Sequence, residues 1–144
     1  MNKDRTCKLG DMNVSKLADK NGLNYTQTGT PYYASPEVWR DEPYDFKSDI
    51  WSLGCVIYEM IALSPPFDAD DMQGLCKSII KGQYKRLPKQ YSKDLNTMIK
   101  LMLKVDPARR PDCSELMQMP EFIGRAQHLY PRIAQHVLES IGVR

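Results

Sequence analysis

The feature that most constrains the fold is a segment without periodicity, residues 17 to 47, that precedes a run of helical patterns. The segment is rich in Gly, Pro, Thr, Asn and Asp, which favour turns over regular elements. A loop of this length inside a compact domain usually carries a function. The sequence therefore predicts a mainly α-helical fold in which one ordered loop carries the specific contacts.

The helix predicted after this loop begins with Ser48 as its cap and runs to about Leu63. Apolar positions surround this helix, so we expect it to be the buried axis of the domain. Further helices are predicted from Asp70 or Asp71 to Gly82, from Ser92 to Val105, and from Asp112, which has Glu115 at capping-box spacing.

Both ends of the chain carry weaker patterns. Strand candidates at 6–9 and 14–16 predict a short β hairpin near the N-terminus. Between 124 and 144, apolar residues follow one helical face, and Pro131 predicts that one helix ends there and another begins. Packing on the domain is the simpler interpretation of this face. The alternative is self-association or partner binding through the C-terminal helix.

Length and charge limit the class of protein. The 144 residues fit one domain, and a net charge of +2 favours neither nucleic acid nor an anionic membrane as a partner. The longest apolar run, residues 55–63, is too short to span a membrane. The four cysteines lack metal or disulfide spacing, and no signal peptide opens the chain, so a cytoplasmic or nuclear location is expected.

One local charge run stands out from this neutral background. A solvated surface is its simpler interpretation, and a docking patch for an acidic partner is the alternative. The run consists of Lys77, Lys81, Lys85, Arg86 and Lys89.

Asp11 is the first candidate for chemistry. It follows Gly10 in a turn between the two strand candidates, where a carboxylate is well placed to hold a divalent cation. Phosphoryl transfer needs such a group, because the metal bridges phosphate oxygens and neutralises developing charge. A Gly-Asp turn is weak evidence when taken alone, and an ordinary turn aspartate is the simpler interpretation.

The hydroxyl groups of the long loop are the next candidates. Thr26 and Thr28 could accept phosphate, which would let an arginine pair with the loop and order it. Most loop threonines are never modified, so this remains a hypothesis. Thr30 opens the stretch Thr30-Pro31-Tyr32-Tyr33, which we expect to be rigid and to form a platform for a substrate peptide.

Three charged residues are expected to have structural roles. Glu37 and Arg110 are 73 positions apart, and a buried pair between them would attach the end of the loop to the helical core. Asp49 near the start of the central helix would interact favourably with the helix dipole and cap free N–H groups. The alternative for Asp49 is that it anchors the backbone of a catalytic loop.

Four motifs follow one another along the chain. They are Gly29-Thr30-Pro31-Tyr32-Tyr33-Ala34-Ser35-Pro36-Glu37, Ser48-Asp49-Ile50-Trp51-Ser52-Leu53-Gly54-Cys55, Pro65-Pro66-Phe67 and Asp106-Pro107-Ala108-Arg109-Arg110-Pro111. In this order they resemble the eukaryotic protein kinases, and within them the NIMA-related (NEK) serine/threonine kinases of protist or algal type. The match runs from about residue 8 to 123. In place of the family's Asp-Phe-Gly triplet this chain has Asp11-Met12-Asn13, which keeps the carboxylate.

The resemblance implies a partial kinase domain at 1–123, the large C-terminal lobe of a kinase, followed by a helical tail at 124–144. It implies Asp11 as the ligand of Mg²⁺ and ATP, Thr26 and Thr28 as activation-loop phosphorylation sites, and a protein substrate whose Ser or Thr is the acceptor. It also implies a location near the cytoskeleton, the cilium or the nucleus.

The sequence also departs from the family. It contains no Gly-x-Gly-x-x-Gly loop, no Val-Ala-Ile-Lys strand and no His-Arg-Asp loop. We therefore assign no catalytic residue in this chain and expect that it does not catalyse phosphoryl transfer alone. The alternative function is a catalytically inactive kinase-lobe module that binds substrates or partners.

Overall fold

The computed structural model of the protein describes residues 31–88, 90–140 and 142. Over these residues the chain forms seven α-helices and two 3₁₀ turns, Pro31–Tyr33 and Pro107–Arg109. The fold is mainly α-helical, as predicted, and the predicted hairpin at 6–9 and 14–16 lies outside the described residues. The helices are α1 Pro36–Trp39, α2 Lys47–Ala62, α3 Met72–Lys81, α4 Lys93–Met102, α5 Cys113–Met117, α6 Pro120–Leu129 and α7 Pro131–Ser140.

The start of α2 differs from the prediction. The helix begins at Lys47, so Ser48 lies in its first turn and is not the cap. The Asp45 carboxylate takes the capping contact instead, accepting the backbone N–H of Lys47 at 2.8 Å. The prediction of a Ser48 cap was wrong because the Ser48 hydroxyl has a stronger acceptor in Glu37, 2.6 Å away, which is remote in sequence.

The other helix starts follow their sequence signals. Asp71 accepts the N–H of Gly74 at 2.6 Å at the start of α3, and Ser92 accepts the N–H of Leu95 at 3.2 Å at the start of α4. Asp112 and Glu115 form the predicted capping box at α5. Local side-chain chemistry therefore sets these three boundaries.

The ends of α3 and α4 are set by tertiary contact as well as by local signals. Gly82 ends α3 with a φ of 63°, and a Cβ at this position would lie 2.6 Å from Cγ2 of Val105. Only glycine satisfies both the positive φ and the close approach. Helix α4 ends at Met102, three residues before the predicted end at Val105.

The core surrounds one face of α2. Trp51 stacks on Phe67 with ring centroids 5.2 Å apart, and Gly54 allows α4 to approach so closely that a Cβ there would lie 2.9 Å from Cβ of Met102. A second, smaller cluster forms around Ile50, Met102 and Leu116. The main cluster consists of Trp51, Cys55, Tyr58, Phe67, Leu75, Ile79, Leu87, Ile99 and Leu103.

The opposite face of α2 is not covered by the described residues. Leu53, Val56 and Met60 are 46%, 41% and 66% exposed. The prediction that α2 is buried all around was therefore correct for one face only. No helix in the described part of the chain is both long enough and apolar enough to cross a membrane.

The tail follows the prediction made from Pro131. Helix α6 ends at Leu129, Tyr130 follows, and α7 begins at Pro131, whose missing N–H is tolerated in a first turn. The two helices pack against each other, and Ala134 is buried.

Candidate functional site

The predicted peptide platform is a 3₁₀ turn fixed on α2. The Tyr33 hydroxyl donates to Oε2 of Glu59 at 2.8 Å, and the Ser52 hydroxyl donates to the Tyr33 carbonyl at 2.9 Å. Both partners, Glu59 and Ser52, lie on α2. Tyr32 remains 37% exposed, and Pro31 opens the turn. The platform is therefore held from below while Tyr32 stays accessible.

The Tyr33–Glu59 contact depends on the tyrosine keeping its proton. The hydrogen bond to Glu59 raises the pKa of the Tyr33 hydroxyl above its usual value, and burial and the Glu59 charge raise it further. Tyr33 is therefore a neutral donor at physiological pH, and Glu59 is the acceptor.

Immediately after the platform, the chain is anchored by a buried ion pair. Nη1 of Arg110 lies 2.6 Å from Oε1 of Glu37, and Nη2 lies 2.5 Å from Oε2, so the pair is bidentate. The side chains are 0% and 3% exposed. The structure thus brings together two residues that the sequence places 73 positions apart.

Every N–H group of the Arg110 guanidinium is hydrogen-bonded. Besides Glu37, its guanidinium donates to the carbonyls of Lys104 at 2.7 Å, Lys47 at 2.9 Å and Val105 at 3.2 Å. These three bonds and the two to Glu37 account for all five guanidinium N–H groups. The guanidinium also lies 5.2 Å from the centroid of the Trp51 ring. Its burial is therefore compensated at each polar atom.

Two buried serines extend this network, and the sequence analysis did not identify them as part of it. Ser48 donates to Oε1 of Glu37, and the Ser35 hydroxyl lies 2.9 Å from the Ser48 hydroxyl. Because a carboxylate only accepts and Ser48 has one hydroxyl proton, Ser35 must be the donor to Ser48. A buried Ser two residues before a paired Glu is the signal that could have indicated this contact.

The network also sets the charge state of Glu37. Burial alone would raise the pKa of Glu37, but the hydrogen bonds from Arg110 and Ser48 and the Arg110 charge outweigh it, so the pKa lies below its usual value. Glu37 is therefore an anion over the physiological range, as the bidentate geometry requires.

Asp49 occupies the first turn of α2 without capping it. The capping contact at this helix start comes from Asp45, and the side chain of Asp49 is largely but not fully open to solvent. Partial burial raises the pKa of the Asp49 carboxyl, and the neighbouring Asp45 charge raises it further. The predicted capping bonds of Asp49 are thus not formed. The favourable interaction with the helix dipole stays a prediction, since that interaction would lower the pKa of the carboxyl group.

A polar cleft of about 850 Å³ lies between the loop that precedes α3 and the segment that follows it. Tyr58 and Tyr84 contribute to its wall, and Tyr58 donates to the Lys85 carbonyl at 2.9 Å. Asp68, Asp70 and Asp71 lie on its rim. The predicted basic run is exposed at Lys77, Lys81, Lys85 and Arg86, as a solvated surface requires, and its last member, Lys89, lies outside the described residues.

The remaining predicted site residues lie outside the described residues: Asp11, Thr26, Thr28 and Thr30. Within the described part, no group of three or more His, Cys, Asp or Glu side chains could hold a metal ion.

The helical fold, the anchored loop and the platform define the class of protein. A family model described as protein kinase domain matches residues 1–122. The chain therefore belongs to the protein kinase family.

Comparison with curated proteins places the chain within the NEK group of serine/threonine kinases. It is 43% identical over 117 residues to "Probable serine/threonine-protein kinase nek2" of Dictyostelium discoideum, which covers 81% of this chain and 28% of that protein. It is 44% identical over 120 residues to "G2-specific protein kinase nim-1" of Neurospora crassa, which covers 83% of this chain and 14% of that protein. It is 41% identical over 144 residues to "Serine/threonine-protein kinase Nek3" of Oryza sativa subsp. japonica, covering 100% of this chain and 23% of that protein. The chain spans less than a third of the length of each of these relatives.

Proposed function

We propose that this chain is the peptide-binding part of a NEK-type kinase that transfers the γ-phosphoryl group of ATP to Ser or Thr of a protein substrate. The observation that carries the proposal is the platform at Pro31–Tyr33, fixed on α2 through Glu59 and Ser52 and followed at once by the Glu37–Arg110 anchor. Because the platform is already fixed, peptide binding does not have to order it, and the entropic cost of association is lower.

The remaining roles rest on family membership. In the whole kinase Asp11 would hold Mg²⁺ with ATP, which supplies the phosphoryl group and the neutralising charge. Thr30, Pro31 and Tyr32 would seat the residue that follows the acceptor hydroxyl. Phosphate on Thr26 or Thr28 would order the loop by pairing with an arginine. The cleft beside α3 offers a second contact for the same substrate, at a rim where three aspartates favour a basic segment.

For the 144-residue chain alone we propose binding without catalysis. Most of the barrier reduction in phosphoryl transfer comes from positioned charge around the phosphates. The sequence holds neither the Gly-rich loop nor the His-Arg-Asp loop that would supply that charge and the base. The chain would then act as the binding module that was the alternative function.

Titration calorimetry of the purified chain tests this proposal. We expect a Ser/Thr-containing peptide to bind, and Mg-ATP to produce no heat and no phosphorylation of that peptide. Tyr33→Phe removes the Glu59 bond and should weaken peptide binding by about fivefold, the effect of losing one hydrogen bond of about 1 kcal/mol. Tyr91→Phe is the matched control. It also removes one tyrosine hydrogen bond, of 3.3 Å to the Ile61 carbonyl, but that bond does not involve the platform.

Two results would contradict the proposal. Phosphorylation of the peptide by the purified chain would show that the chain is competent alone. Equal peptide affinity in the Tyr33→Phe and Tyr91→Phe variants would show that the platform is not where the peptide binds.

The remaining organisation is proposed on the same basis. Residues 1–123 would form part of the kinase domain, and residues 124–144 a helical tail that can contact a partner or a second copy. Asp49 would anchor the backbone of a catalytic loop in the whole kinase. Its carboxylate is partly buried and accepts no capping hydrogen bond from the backbone at the start of α2. We propose a cytoplasmic location, in association with the cytoskeleton, the cilium or the nucleus.

A further inference from the structure

An apolar groove of about 330 Å³ separates α4 from α6. A volume of this size accommodates one or two large side chains. It shares no residue with the Pro31–Tyr33 platform or with the Glu37–Arg110 anchor. Its lining is mostly apolar: Leu95 and Met98 from α4, and Phe122, Ala126, Leu129 and Tyr130 from α6 and its end.

The groove remains open to solvent at its α6 side. Leu129 is 65% exposed, Tyr130 is 54% exposed, and Phe122 is 36% exposed. Leu129 follows Phe122 by seven positions, so the two side chains lie on one face of α6 about two turns apart. Large apolar side chains grouped in this way mark a surface that contacts another molecule.

The charges at the rim indicate which molecule. Asp94 lies on the α4 side and Arg125 on the α6 side, and neither forms a salt bridge within the described part of the chain. A two-fold axis along the groove places the α4 side of one copy opposite the α6 side of the other. In such an arrangement Asp94 of each copy would lie on the side that carries Arg125 of the other, and the same pairing would occur twice.

Helices α6 and α7 carry no net formal charge. Between 120 and 140 the sequence balances Glu121 and Glu139 against Arg125 and Arg132. We propose that the groove between α4 and α6 is a homodimer interface, in which Leu129 and Tyr130 of each copy enter the groove of the other. This proposal is independent of the proposed kinase function.

Sedimentation of the 144-residue chain over a range of concentrations tests the interface. We expect a dimer that dissociates on dilution, and Leu129→Arg should raise the dissociation constant by at least about tenfold, since the substitution is felt twice by symmetry. Met60→Arg is the matched control because Met60 is 66% exposed on α2, away from the groove. A circular dichroism melt of each variant verifies that the fold is retained.

A charge exchange distinguishes this interface from a general apolar contact. Asp94→Arg alone and Arg125→Asp alone should each weaken the dimer, and the double variant should restore the affinity of the original chain. A chain that is monomeric at every concentration would overturn the proposal. The groove would then be filled by another protein or by a segment of the same chain. A dimer lost in Met60→Arg but retained in Leu129→Arg would overturn it as well.

Discussion

The two faces of α2 are similar in sequence and opposite in environment. On one face Trp51, Cys55 and Tyr58 are no more than 3% exposed, and Arg110 lies over the Trp51 ring. On the other face Leu53, Val56 and Met60 repeat at helical spacing and are all more than 40% exposed. Periodicity alone does not separate these faces, because both are apolar. The difference comes from where the rest of the chain packs.

The buried face of α2 is also the face that positions the platform and its anchor. Glu59 and Ser52 hold the platform, and the neighbouring Ser48 joins the Glu37 network. The exposed stripe begins one turn after Asp49, whose carboxyl pKa is raised by partial burial and by Asp45. One helix thus completes its contacts on one side and leaves the other side for a partner, which in the whole kinase we propose to be the rest of the domain.

The largest effect is expected from Arg110→Ala on the buried side. The change leaves the Glu37 carboxylate buried without its partner, which costs about 3–5 kcal/mol. Urea unfolding measures this as a lower midpoint with an unchanged slope. Arg109→Ala is the control, because Arg109 is exposed and its loss should change stability by less than about 0.5 kcal/mol. Adding Glu37→Gln should recover part of the loss, and strictly additive costs would show that the two residues do not act as a pair.

The next effect concerns acid stability. Because the pKa of Glu37 is lower in the folded chain than its ordinary value, the pair stabilises the fold above the ordinary value of about 4.3. That stabilisation is lost as the pH falls through the lower, folded value. Urea midpoints measured from pH 7 to pH 3 should therefore decline more steeply in the original chain than in Glu37→Gln. Parallel curves for the two proteins would contradict the assigned charge state.

A smaller effect is expected from Gly54→Ala, where α2 meets α4. The added Cβ would lie 2.9 Å from Cβ of Met102, so overpacking should cost about 1–3 kcal/mol and exceed the gain in helix propensity. Gly124→Ala in α6 is the matched control, because nothing lies within 4 Å of the added atom. It should stabilise the chain by about 0.5–1 kcal/mol. Thermal unfolding should thus shift in opposite directions for the two variants, and a higher unfolding temperature for Gly54→Ala would show that the α2–α4 contact is not tight.

The smallest effect is expected on the exposed stripe. Met60→Gln should change the free energy of unfolding by less than about 0.5 kcal/mol, since Met60 is 66% exposed. Chemical denaturation at one temperature suffices to measure it. A loss above about 1 kcal/mol would mean that residues outside the described part cover the stripe, and the contrast between the two faces would then vanish.

Sequence reasoning located the elements with local signals and missed contacts that depend on distant residues. The caps at Asp71, Ser92 and Asp112 and the break at Pro131 are encoded within a few positions, so they were predictable. The α2 start and the exposed stripe were not, because both depend on what lies across the fold. The Ser48 hydroxyl binds Glu37 and does not cap α2. The exposed face of α2 is apolar like the buried one, so the sequence does not indicate that it is uncovered.

The same division applies to the site. The Pro31–Tyr33 platform and the Glu37–Arg110 pair were expected from their motifs, but the motifs did not indicate Glu59, Ser52 or Ser35 as partners. These residues are ordinary members of helical or capping patterns. Only the spatial arrangement shows that their hydrogen bonds end on the platform and on its anchor.

The 73-residue separation between Glu37 and Arg110 also has a consequence in time. Chains are synthesised at about 5–20 residues per second, so a ribosome completes Arg110 roughly 4–15 s after Glu37. During this interval the newly made platform has no anchor, and its carboxylate has no guanidinium partner. Closing so long a loop is also slow on contact-order grounds. The segment that would receive a substrate therefore reaches its final shape only after Arg110 has been translated.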